Sequence, residues 1–126
     1  MIVGVGNDIF EVDRMTRELV EAGVEFRNRL FTPREIAYCE GKRYPAQHYA
    51  ARFAAKEAFL KALNTGLRNG LSWQDVEVCH RADGAPELVL SGEARELAAQ
   101  RGIDRTFLAL SHTAALAMAS VVLEGR

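Results

Sequence analysis

RFAAKEAFLKA, residues 52–62, is built mostly of alanine, phenylalanine and leucine, yet it carries Glu57 and Lys61 in its middle. At 3.6 residues per turn, Phe53, Glu57, Leu60 and Lys61 share one face, with Ala50 and Ala54 beside it. Ala51, Ala55, Ala58 and Ala62 line the opposite side, with Phe59 and Leu63 on its flank. A helix that is apolar nearly all round belongs in an interior. Glu57 and Lys61 then have two readings. One is a surface pair at i,i+4 spacing, worth roughly 0.3–0.5 kcal/mol. The other is a charge buried for chemistry, because an unpaired buried carboxylate costs several kcal/mol or shifts its pKa. Periodicity alone leaves the two evenly balanced.

Outward from this stretch, the helix is predicted to begin around Pro45 and to end near Gly66. TPRE, Thr32 to Glu35, predicts another helix start, with Thr32 as cap, Pro33 in the first turn and Glu35 closing a capping box; that helix stops near Gly41. MIVGVG reads as a strand ending near Asp8. Val12, Met15, Leu19 and Val20 keep helical spacing up to Gly23. DVEVCHR and PELVLS flank ADGA, a hairpin signal centred on Asp83 and Gly84. SGEARELAAQRG reads as a short helix capped by Ser91 and closed by Gly102. TFLALSH and AALAMASVVLE read as two last strands. The sum is an α+β fold, with a small, mostly antiparallel sheet packed on one long buried helix plus shorter helices.

The 126 residues, 48% apolar and 26% charged, fit one domain over residues 1–126 with a core of its own. The net charge of -1 gives no reason to propose nucleic-acid or membrane binding. Basic residues nevertheless crowd the first third, from Arg14 and Arg17 to Lys42 and Arg43. Cys39 and Cys79 lack any CxxC spacing, and reduced thiols are the default reading. His48, His80 and His112 stand apart in the sequence, which argues against zinc. No signal peptide or membrane span is legible, and a cytoplasmic protein is expected.

A second carboxylate shifts the balance at Glu57. Asp8 follows the small residues GVGN, and two carboxylates from a strand and a helix can meet over a hard cation. Mg²⁺ favours one or two carboxylates together with waters and substrate phosphates. Asp8 taken alone also reads as an ordinary turn or cap residue. LSHT, Leu110 to Thr113, has the same two sides. It is a polar turn between strands, or a phosphate site with His112 as donor and Thr113 assisting. Adjacent Ser111 and His112 cannot easily face one another as nucleophile and base.

GVGNDIFEVDRM, FTPREIAYC, RFAAKEAFLKAL and LSHTAALAMASVV, in that order, resemble the holo-acyl-carrier-protein synthases, the short single-domain 4′-phosphopantetheinyl transferases. The resemblance spans nearly the whole chain. The G-x-D near the start combined with F-x-x-K-E-A-x-x-K is much more specific than either piece alone. It implies Mg²⁺-dependent transfer of 4′-phosphopantetheine from coenzyme A to a serine of apo acyl carrier protein, in support of fatty acid biosynthesis. Adenosine 3′,5′-bisphosphate is the other product.

By the same resemblance Asp8 and Glu57 bind Mg²⁺, and Lys61 lies by the phosphate under attack. His112, with Thr113 nearby, meets the coenzyme A 3′-phosphate. Arg52 and Lys56 lie near the motif, where phosphate contacts, a solvated role and a structural role are all open to them. Glu57, or a water held by Asp8 or Glu57, is the base for the serine hydroxyl. Arg14, with Arg17 beside it, meets the acidic carrier protein. Short members of the family form homotrimers with active sites shared between neighbours. Two positions depart from the family pattern: Asn64 stands where glycine is common, and Ala85 where the hairpin often carries lysine. A metal-dependent phosphohydrolase using Asp8 and Glu57, and a non-catalytic domain binding a nucleotide or an acidic protein, are the competing functions.

Overall fold

The 18-residue helix α4 (Pro45–Ala62) is the axis on which most of the other elements pack. The computed structural model describes residues 1–67 and 70–126. Strands β1 (Ile2–Glu11), β4 (Ile103–His112) and β5 (Leu116–Gly125) form an antiparallel sheet in the order β1-β5-β4. Strands β2 (Val76–His80) and β3 (Pro86–Leu90) form a separate antiparallel hairpin. Helices α1 (Val12–Glu21), α2 (Gly23–Leu30), α3 (Pro33–Glu40) and α5 (Gly92–Gln100) complete the α+β fold.

Alanine explains how α4 can be wrapped on nearly every side. Ala50, Ala54, Ala55 and Ala58 are wholly buried, and their short side chains let strands approach the helix backbone. The closest approach is at Gly6 of β1. A Cβ added there would collide with the Ala58 carbonyl oxygen and the Ala62 nitrogen, so only glycine allows β1 to lie against α4. Alternation along β1 then turns Gly6, Asp8 and Phe10 toward the helix and Val5, Asn7 and Ile9 away from it.

Several predicted features stand as read. The Thr32 side chain accepts from the Glu35 N–H while Glu35 accepts from the Thr32 N–H, completing the capping box of α3. Gly84, at φ +90°, turns the β2–β3 hairpin. Asn64 takes a left-handed backbone, at φ +57°, which asparagine tolerates better than most residues.

Other expectations are corrected. Asp8 does not lie past the end of the first strand, because cross-strand pairing of Asp8 with Ala119 and of Phe10 with Ala117 carries β1 on to Glu11. Helix α4 ends at Ala62 rather than near Gly66, closed by the turn at Asn64. Gly23 does stop α1, but a second helix starts there, which the sequence pattern did not reveal. The Ser91 side chain makes no capping hydrogen bond to α5.

Cys39 and Cys79 are free thiols, and burial pushes Cys39 up to about 12, which keeps it protonated and inert. Among the described residues no helix is long and apolar enough to cross a membrane.

Candidate active site

The register of β1 against α4 brings Asp8, Glu57 and Lys61 together. Lys61 Nζ donates to Asp8 Oδ1 at 2.8 Å, with side-chain exposures of 54% and 14% respectively. The i,i+4 partner is therefore not the one that Lys61 takes. Its ion pair reaches across to the strand, leaving Glu57, half-buried one turn back, without that cation's hydrogen bond. Burial, and then the charge of Asp8, hold the Glu57 carboxyl above the usual carboxylate range, and Lys61 only partly opposes them. The hydrogen bond and charge of Asp8 raise Lys61 in turn.

Two carboxylates thus face one ammonium, and the group carries net negative charge. The donor set, two hard oxygens from Asp8 and Glu57 on a strand and a helix, fits a divalent cation that keeps waters and takes phosphate as further ligand. It does not fit a closed protein cage. Among the described residues no cluster of three or more His, Cys, Asp or Glu is arranged to hold a metal. An open groove of about 450 Å³, lined by Lys61, Asn64, Thr65 and Gly66, lies alongside.

His112 and Arg52 form a second group. His112 ends β4, and its ring centroid lies 5.2 Å from that of His48 in α4. Arg52 follows His48 at i+4 and is only 2% exposed, yet its Nε and Nη2 have no hydrogen-bond partner. Counting 100° per residue, Arg52 and Lys61 lie about 180° apart around α4, so the two groups occupy opposite flanks of the helix. Thr113 has a local task. Its Oγ1 accepts from the Ala115 and Leu116 N–H groups and shapes the β4–β5 turn, leaving only its hydroxyl proton to offer a ligand.

Lys56, neighbour to Glu57 in sequence, faces the other way. It is wholly buried, donating to Glu35 Oε1 at 2.8 Å and to the Trp73 carbonyl at 2.9 Å. The same Glu35 accepts from the Val78 N–H at 2.8 Å, so one ion pair ties α3, α4 and β2 together. Of the three roles open to Lys56 in the sequence, the structural one is realised. Arg14 and Arg17 are exposed on α1, which continues directly from β1. The Arg14 guanidinium rests 5.1 Å from the Phe10 ring centre.

Sequence reasoning missed Tyr38, His48 and His80, treating the histidines as isolated. The one signal that could have linked them is the i,i+4 spacing of His48 and Arg52 on a helix already suspected of carrying chemistry.

A family model described as the 4′-phosphopantetheinyl transferase superfamily matches residues 4–119. The chain is 52% identical over 124 residues to the holo-[acyl-carrier-protein] synthase of Geotalea daltonii, covering 98% of this chain and 99% of that one. Among solved structures it is similar to the holo-[acyl-carrier-protein] synthase of Neisseria meningitidis, at a TM-score of 0.90 and 35% identity, over 98% of this chain and 99% of that one. It is also similar to that of Bacillus anthracis in complex with CoA (3′,5′-ADP), at a TM-score of 0.81 and 35% identity, over 100% and 99%.

Proposed function

The chain belongs to the 4′-phosphopantetheinyl transferase superfamily, among its holo-[acyl-carrier-protein] synthases, and from that membership we propose that it moves 4′-phosphopantetheine from coenzyme A to a serine of apo acyl carrier protein. In this reading the carrier serves fatty acid synthesis in the cytoplasm. The observation that carries the proposal is the meeting of Asp8, Glu57 and Lys61, two carboxylates and an exposed cation, beside an open groove.

Asp8 and Glu57 would hold Mg²⁺, which when bound supplies a Lewis acid for the pyrophosphate. Lys61, more than half exposed on a flexible stem, can leave Asp8 and set its ammonium against the phosphoryl group under attack. As the serine oxygen bonds to phosphorus, the bond to the nucleotide oxygen breaks and adenosine 3′,5′-bisphosphate departs. The serine proton must go to a base, and the half-buried Glu57 is the basic side chain at hand. Arg52 and His112 bind the 3′-phosphate, with the Thr113 hydroxyl at the rim of that site.

The opposite placement of Arg52 and Lys61 on α4 argues that one coenzyme A does not use both groups of the same chain. A neighbouring copy completes the site, as in a homotrimer with shared sites. The outward face of the sheet supports such packing. Val5 pairs through Val122 with Phe107, and Ile9 pairs with Met118, so apolar rows face outward where Val5, Ile9, Phe107 and Met118 are exposed. Arg14 and Arg17 form a basic strip suited to an acidic carrier.

Incubation with coenzyme A, Mg²⁺ and apo carrier, followed by mass spectrometry of the carrier, tests the reaction. No gain of one phosphopantetheine across several carriers overturns it, and cleaved coenzyme A with unmodified carrier points to a phosphohydrolase. Shared sites are tested by mixing inactive Glu57→Gln with inactive Arg52→Ala protein, which should restore activity; a monomer in sedimentation sinks the trimer. Joint replacement of Arg14 and Arg17 by alanine is expected to slow transfer about tenfold at low salt and to flatten its salt dependence. An unchanged salt slope would remove these arginines from the docking surface.

A further inference from the structure

The three histidines, distant in sequence, form one cluster, in which two meet the same aromatic ring and the third abuts one of them. His80 of β2 stacks on Tyr38 of α3 with ring centroids 4.6 Å apart, and His48 meets the same ring edge-on at 5.8 Å. Arg52 Cζ and Lys42 Nζ lie 3.9 Å and 4.6 Å from the Tyr38 ring centre, and His112 abuts His48 from β4. The charged and titratable groups acting on His48 are His112, Arg52, Lys42 and His80, and those acting on His80 are Arg52 and Lys42. None of them is a carboxylate. A buried guanidinium set against the Tyr38 ring, with basic side chains beside it and two unpartnered nitrogens, lacks the hydrogen-bond acceptor that burial of a charge requires. An anion from outside is the ligand chemistry that completes it.

We infer that His48 is a specificity-determining residue of this pocket, taking up a proton as it closes on the 3′-phosphomonoester of the nucleotide, so that 3′-phosphate recognition is proton-linked. The inference rests on the assignment of Arg52 and His112 to that phosphate. This chain's own Lys61 does not bring its phosphate here, because it lies on the opposite flank of the same helix.

The physical sequence is short. Burial first, and then the four basic neighbours, hold His48 below the ordinary histidine range, so in the free protein it is mostly neutral near neutral pH. A neutral imidazole offers one N–H donor and turns a lone pair toward any anion on its other side. The imidazolium offers two donors and a charge. A phosphate dianion seated beside Arg52 favours the imidazolium and raises the pKa of His48. Affinity is therefore greatest where the bound form is protonated, and it falls as pH rises between the free and bound values, within about pH 5–8. The second ionisation of the phosphate, near about pH 6, acts in the opposite sense but is common to wild type and variant.

The test is calorimetric titration of the full-length protein with adenosine 3′,5′-bisphosphate and with 5′-AMP, which lacks the 3′-phosphate, at about pH 6.5 and 8. Repetition in buffers of different ionisation enthalpy reads the protons taken up. Wild type should prefer the bisphosphate at least tenfold at the lower pH, take up a fraction of a proton, and lose several-fold of that preference at the higher pH. His48→Gln should show a smaller preference with no such pH loss and little proton uptake. His48→Lys, which keeps the charge, should hold the preference at both pH values. If His48→Gln retains the wild-type preference and proton uptake, the inference falls while the pocket assignment stands. If wild type does not distinguish the two nucleotides, the pocket assignment falls and the inference with it.

Discussion

Replacing Glu57 with glutamine is expected to lower kcat about a thousandfold, which corresponds to some 4 kcal/mol of transition-state stabilisation. Asp8→Asn should match it. Each substitution keeps the side-chain shape and removes one of the two carboxylate charges that meet beside Lys61. The fold should survive both, and for Glu57 the sign can be argued. A carboxyl held above its ordinary value is less favourable charged in the fold than in the open chain. Its contribution to stability therefore falls as pH rises through the carboxylate range. Glutamine has no such term, so the metal-free variant should melt no lower than wild type at neutral pH.

A second readout separates metal binding from other causes of inactivity. Mn²⁺ titration followed by electron paramagnetic resonance should show weaker binding for Glu57→Gln and Asp8→Asn. Lys61→Met should do the reverse, because its ammonium occupies Asp8 Oδ1 and competes for the same charge. That variant would bind Mn²⁺ more tightly yet transfer poorly. Near-normal turnover by Glu57→Gln would remove Glu57 from the chemistry. Unchanged Mn²⁺ affinity in both carboxylate variants would remove the metal from this pair.

How much of this was legible in the sequence depends on whether the cause was local. The capping box at Thr32, the turn at Gly84 and the alanine-lined α4 are set by residues adjacent in the chain, and each reads directly. The choice between two readings of Glu57 and Lys61 was not local. It turned on Gly6, whose missing side chain lets β1 lie on α4 and puts Asp8 within reach of Lys61. Periodicity cannot report a partner 53 residues away. The histidine cluster is the stronger case, because His48, His80 and His112 come from a helix and two separate sheets. Only packing brings His48 and His80 to Tyr38 and His112 to His48. Likewise KEA in the helix motif gave no hint that Lys56 and Glu57 point in different directions, one into a structural ion pair and the other toward chemistry.

That division makes Lys56 the place where stability and function should part. Lys56→Met strands Glu35, whose carboxylate is buried in the core and keeps only the Thr32 and Val78 N–H donors once the ammonium is gone. Removing one partner of a buried pair is expected to cost about 3–5 kcal/mol, or a drop in Tm of roughly 10–20 °C for a chain of this size. Burial lowers the pKa of Lys56 even in the intact pair, opposed first by the charge and hydrogen bond of Glu35 and then by the charge of Glu77, so Glu35 is the main group that holds the ammonium there. The pair variant Lys56→Met with Glu35→Gln should recover part of the loss, because no uncompensated charge then remains in the core. Below its melting temperature, Lys56→Met should keep a KM for coenzyme A close to that of wild type, since Lys56 touches α3 and the segment before β2 rather than the groove beside Lys61. Circular-dichroism melts and steady-state kinetics on the same preparations check both halves. An unaltered melt with a large rise in KM would mean that Lys56 serves the substrate phosphate after all, and that the buried ion pair adds little to the fold.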